Sequence, residues 1–99
     1  MKIYISGPIS GYNLNERKAA FGKVQEYLLN KGYKQPVNPF NSTGKSYSDY
    51  MRADLKLLLD CDAIFLMNGW NHSKGCIAER NVAEICGMKI IKEEYVCTK

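Results

Sequence analysis

Two carboxylates in this chain stand where a solvated charge does not belong. Residues 73–86 read as a helix in which Glu84 lies four residues after Arg80 on a polar edge, whereas Glu79 aligns with Gly75, Val82, Ala83 and Cys86, all small or apolar. Positions five apart on a helix are rotated by about 140°, so the two glutamates cannot share a face. A carboxylate on the apolar side is costly unless donors or a cleft receive it, and burial raises its pKa. Asp54 repeats the pattern on an earlier helix, four residues after Tyr50 and four before Leu58, within the stripe expected to be buried. Two inward acids meeting in one cleft could divide the work of a displacement, one attacking while the other positions the substrate or moves a proton. A plainer role for Glu79 is a buried acid hydrogen-bonded to backbone or to Tyr4.

Two turns could hold an anion beside those acids. "SGPISG", with Ser6, Gly7, Ile9, Ser10 and Gly11, is a small-residue turn leading into a helix cap; its amides can converge on an anion with a helix dipole behind them, or it can be a tight turn with no ligand. "NGWNHSKG" supplies Asn68, Gly69, Trp70, Ser73 and Gly75 at the start of the helix that carries Glu79. The six steps from Ser73 to Glu79 span roughly 9 Å, a gap that suits a sugar 5′-phosphate whose anomeric carbon faces the acid. Gly75, one turn before Glu79, is expected to leave the surface open there. Trp70 could stack on a base or act as a hydrophobic lid. "PFNSTGKS" ends like a phosphate-cradling loop, but Pro39 stands where the first glycine belongs and supplies neither the turn nor the amide. It is expected to be a polar loop, perhaps-lid chemistry aside, with no cradle of its own.

The elements that must position these residues follow from periodicity. "KIYIS" is a short buried strand. Asn13 to Lys31 is a helix with Leu14, Phe21, Val24 and Leu28 at core spacing, Asn13 and Glu16 at its start and Gly32 at its stop. "YKQPVN" is a weaker strand, placed at an edge by Pro36. A second helix, capped by Ser46 or Ser48, runs to about Asp60 with Tyr50, Met51, Leu55 and Leu58 inward. "DAIFLMN" has the continuous apolar run of a strand buried on both faces, and "MKIIK" is the last clear strand. The tail "EEYVCTK" adds a short edge strand or trails off. This alternation predicts an α/β fold, a parallel sheet of four to five strands with helices on both faces. Ligands of such sheets collect at the carboxyl ends of the strands, where both turns lie.

Composition bounds the rest. Ninety-nine residues, 45% of them apolar and 24% charged, make one globular domain. The net charge of +4 comes from scattered lysines, which leans toward anionic small molecules and away from a nucleic-acid polymer. Cys61, Cys76, Cys86 and Cys97 form no C-x-x-C pair and His72 is the sole histidine, so no metal site is expected; Cys76 and Cys86 read as small apolar fillers. With no signal-like start and no membrane-spanning run, the expected setting is the cytoplasm, with no membrane partner.

"YISGPISG", "RADLKLLLDCDAIFLMNG" and "SKGCIAE" together resemble the nucleoside 2-deoxyribosyltransferase family, including its relatives that hydrolyse 2′-deoxynucleoside 5′-monophosphates. The most specific parts are the Asp54-to-Glu79 spacing and G-x-x-x-E from Gly75 to Glu79. The resemblance implies a flavodoxin-like fold, a homodimer or larger assembly, and no metal or organic cofactor. It implies Glu79 as the nucleophile that forms a glycosyl ester, Asp54 as the group that positions the sugar and handles the proton of the departing base, and Tyr4 as the residue that orients Glu79. The transferases carry another acid in a "D-x-G" before the helix; Ser73 stands there instead, which together with "GPISG" looks more like the phosphate-binding arrangement of the monophosphate hydrolases. The expected ligand is a nucleoside 5′-monophosphate, and the expected activity hydrolysis or base exchange. The alternatives are a nucleotide-binding or sensing module with the same pocket, and a structural α/β protein whose inward acids are satisfied internally.

Overall fold

A computed structural model describes residues 1–9, 11–41 and 46–93. Strand β1 (Lys2–Ser6) is followed by helix α1 (Leu14–Asn30), strand β2 (Gln35–Val37), helix α2 (Tyr47–Leu59), strand β3 (Ala63–Leu66), helix α3 (Lys74–Ile85) and strand β4 (Lys89–Lys92). Single 3-10 turns lie at Pro39–Asn41 and Trp70–His72. The helices start at side-chain caps that occupy otherwise orphaned amides. Asn13 accepts from the Glu16 N–H at 3.0 Å, Ser46 from Asp49 at 3.2 Å and Ser73 from Cys76 at 3.3 Å. Past the end of α1, Gly32 adopts φ 99°, the left-handed conformation in which a Cβ is costly.

The four strands form one parallel sheet in the order β2-β1-β3-β4, the order expected of a flavodoxin-like domain. Pro36 sits on the edge strand β2, where its missing N–H breaks no interior ladder. Strand alternation divides the core into two layers. Ile3, Ile5, Ala63 and Phe65 pack with Phe21, Val24 and Leu28 of α1 on one face. Tyr4, Ile64 and Leu66 pack with Leu58 of α2 and Ala83 of α3 on the other. The polar members of that second face, Tyr4 and Ser6, therefore look toward α3.

Some expected core positions lie elsewhere. Leu14 is 62% exposed and Tyr50 44%, because the first turns of α1 and α2 project past the carboxyl end of the sheet. Cys76 is buried as a filler, but Cys86 caps the end of α3 and is exposed. Ser10, the segment 42–45 that ends the loop after β2, and the tail from 94 onward, with Cys97, lie outside the described residues.

Gly7, just after β1, shows how tightly the turn is seated on the core. A Cβ there would lie 2.5 Å from Met67 Sδ and 3.1 Å from both Met67 Cβ and Phe21 Cζ. Met67 and Phe21 are themselves buried, so neither can retreat freely. Gly7→Ala is expected to cost about 1–3 kcal/mol and to lower the melting temperature by several degrees in a thermal scan.

Candidate active site

The second face of the sheet ends in a buried carboxylate. Glu79, in the middle of α3, is 5% exposed. Its Oε2 accepts a hydrogen bond from the Tyr4 hydroxyl and its Oε1 one from the Ser6 hydroxyl, both at 2.7 Å. Tyr4 and Ser6 are two apart on β1, so the pleat places both hydroxyls on the face that α3 covers. The carboxylate is thus gripped at both oxygens by one strand, and each oxygen keeps a second lone pair.

Burial pushes the Glu79 carboxyl up to about 7; the Ser6 and Tyr4 hydrogen bonds oppose this and the negative charge of Asp54 adds to it. Tyr4 is driven the other way from reactivity: burial first, then the charges of Glu79 and Asp54, raise its phenol far above the ordinary value. It therefore stays a donor. Since hydrogen bonds to the charged form favour it, Tyr4→Phe and Ser6→Ala are each expected to raise the Glu79 pKa by about one pH unit. Carboxyl-carbon NMR titration of labelled protein would read that change without any substrate.

Beside Glu79 opens a cavity of about 600 Å³, within the range of small-molecule sites. Glu79, Asp54 and Ser73 lie among its polar lining, with Gly7, Ile9, Gly69 and Gly75 also on its walls. Asp54 is half-buried on α2 and close enough to act on both Glu79 and Tyr4 electrostatically. The two acids read from the sequence are therefore brought to one cleft, at the carboxyl ends of β1 and β3.

Other residues singled out from the sequence are placed differently. Tyr4 and Ser6 lie behind Glu79 rather than on the cavity wall. Gly11 has φ 84° and is exposed, away from the lining. Asn68 is exposed and its backbone N–H donates to Glu93 at 2.8 Å. Trp70 packs on the core layer of Tyr4 and Leu58, under the Lys92 ammonium at 5.6 Å, and does not line the cavity. Gly75 does not leave its surface empty: a Cβ there would lie 3.2 Å from the Tyr47 hydroxyl and from Met51 Sδ. Its missing side chain instead lets α2 approach α3.

The sequence reading missed the aromatic and apolar rim. Tyr12, Leu14, Phe40, Tyr47, Tyr50 and Met51 line the cavity together with His72 and Lys74. Tyr47, Met51 and Asp54 recur at i, i+4 and i+7 on α2, so one signal was available: the face that presents Asp54 also presents those two. Among the described residues no three His, Cys, Asp or Glu side chains cluster as metal ligands, and no helix is long and apolar enough to cross a membrane.

A family model described as a domain of unknown function (DUF4406) matches residues 1–92, a span that includes every strand and helix above. No curated protein matches the chain.

Proposed function

The chain belongs to the DUF4406 family, whose description carries no activity, and from its site we propose that it cleaves the N-glycosidic bond of a deoxynucleoside 5′-monophosphate. The observation that carries this reading is the buried Glu79 carboxylate, held at both oxygens by Tyr4 and Ser6 and lining a cavity that Asp54 also lines. The resemblance to the deoxyribosyltransferases supports the same assignment of roles.

In this reading the ionised Glu79 attacks the anomeric carbon of the sugar. The carbon–nitrogen bond breaks, its electron pair leaves on the base, and a proton reaches the base through Asp54. A glycosyl ester remains on Glu79, dividing one hard displacement into two easier ones. Water then attacks the same carbon, the ester bond breaks with its electrons returning to the carboxylate, and the water proton is taken up at Asp54. A second base in place of water would give exchange. The aromatic rim of Tyr12, Tyr47 and Tyr50 suits a planar base, and the polar floor suits the sugar. The resemblance also supports a homodimer or larger assembly, which light scattering tests.

A second reading, a nucleotide-binding module without turnover, is favoured by one observation: both Glu79 oxygens already have a donor. Incubating the protein with each deoxynucleoside and its 5′-monophosphate, and following free base by chromatography, separates the two. Base release from at least one monophosphate is expected. Ligand-dependent stabilisation without any released base would favour the binding module instead.

A further inference from the structure

Arg17 is held in a position that is difficult to account for by folding alone. Its backbone N–H closes the first turn of α1 onto the Asn13 carbonyl, so its cation sits at the positive end of the helix dipole, where a charge of that sign is disfavoured. The side chain is pinned from three sides. Nε donates to the Pro8 carbonyl at 2.8 Å. The guanidinium carbon lies 5.0 Å from the centre of the Tyr12 ring and 5.7 Å from that of Phe21. Among the buried side-chain polar atoms of the described residues, Arg17 Nη2 is without a hydrogen-bond partner. An unmade bond on a buried charged donor is among the costlier defects a fold can carry.

The surroundings say what kind of acceptor is missing. Pro8, whose carbonyl holds the guanidinium, and Tyr12, whose ring covers it, both line the cavity beside Glu79. The positive charge of Arg17 is felt at Cys76, which lines the cavity three residues before Glu79. Arg17 thus stands directly behind the wall that the turn after β1 contributes. Tyr12 is about half exposed and its hydroxyl lies against Gly69, so its ring is the only layer named here between the guanidinium and the cavity.

We propose that Arg17 is the specificity-determining anchor for the phosphomonoester of the ligand, reached when the Tyr12 ring swings off the guanidinium. This rests on reading the cavity as a nucleotide site. A phosphate oxygen offers Nη2 a charge-assisted hydrogen bond, which is stronger than the cation–π contact it displaces. The same anion also lies at the N-terminus of α1, where the dipole favours it and offsets the unfavourable placement of the arginine. Pro8 keeps Nε occupied throughout, which fixes the fork so that Nη2 faces the incoming group.

The test is binding, measured by calorimetry with deoxyguanosine and with deoxyguanosine 5′-monophosphate on the parent protein and on Arg17→Met, which keeps much of the stem packing. The parent is expected to bind the monophosphate at least about tenfold more tightly than the nucleoside, and Arg17→Met to lose about 10- to 100-fold for the monophosphate with the nucleoside unchanged. Parallel loss of both ligands would mean that Arg17 only braces the turn, and would overturn the proposal. So would a parent with no preference for the monophosphate, or with no binding of either ligand. If Arg17→Met does not fold, Tyr12→Leu decides: removing the covering ring should tighten monophosphate binding several-fold, and unchanged or weaker binding refutes the anchor. Because the readout is binding, a parent that shows the expected preference yet releases no base would sink the glycosidase reading and leave the phosphate anchor standing.

Discussion

Replacing Glu79 by glutamine is expected to reduce release of free base from deoxynucleoside 5′-monophosphates by about 10³-fold or more, while the ligand-induced rise in melting temperature persists. The amide is close to the carboxylate in shape and can still accept from Tyr4 or Ser6, so the cavity should survive. What it lacks is an anionic oxygen able to form the glycosyl ester, and loss of a nucleophile removes an interaction made on the reaction path rather than in the bound state. The parent enzyme should show the titration of that group. With a Glu79 carboxyl near 7, the fraction ionised rises tenfold per pH unit below that value and levels off above it. kcat/KM should follow the same curve. A flat profile from pH 5 to 8, or a glutamine variant that retains more than a tenth of the activity, would remove Glu79 from the role of nucleophile.

The same substitution should make the protein more stable at alkaline pH. The ordinary value for the Glu79 carboxyl is 4.5 and in the folded protein it is about 7, raised chiefly by burial. Between those values the folded state holds a proton that the unfolded state has lost, so stability falls as pH rises through this window. The penalty is absent below about pH 4.5 and complete above about pH 7, where it amounts to roughly 3 kcal/mol. Glutamine never ionises and escapes it. For a domain of this size the variant should melt on the order of 10 °C above the parent at pH 8, with the gap closing toward pH 5. A gap that is the same at both pH values would mean that Glu79 does not titrate across the window. Together the two results would describe a site whose reactivity is maintained at the expense of the fold around it.

Much of this site was legible in local pattern. Helical spacing alone separated Glu79 from Glu84, and the structure buries the first while leaving the second in an exposed pair with Arg80. Spacing also put Asp54 on the inward side of α2, and the strand–helix alternation predicted the parallel sheet and the ends at which its turns gather. The caps at Asn13, Ser46 and Ser73 were visible as residue types. Less legible was the partner of each group. Ser6 was read as a ligand contact because it opens a small-residue turn, yet it belongs to the last pleat of β1 and faces the same way as Tyr4. That could have been counted from the strand. The direction in which α3 would meet it could not.

What the sequence by itself determined is therefore the set of elements, their order, and which side of each one carries the acids, because those depend on periods of two and 3.6 that operate within a few residues. Only the tertiary structure decided how the elements were turned against one another. That rotation seated Tyr47 and Met51 over Gly75, carried Leu14 and Tyr50 out to the rim, laid Trp70 on the core rather than over the cavity, and closed Tyr12 over Arg17. Side-chain packing between elements distant in the chain sets that geometry, and no local period encodes it.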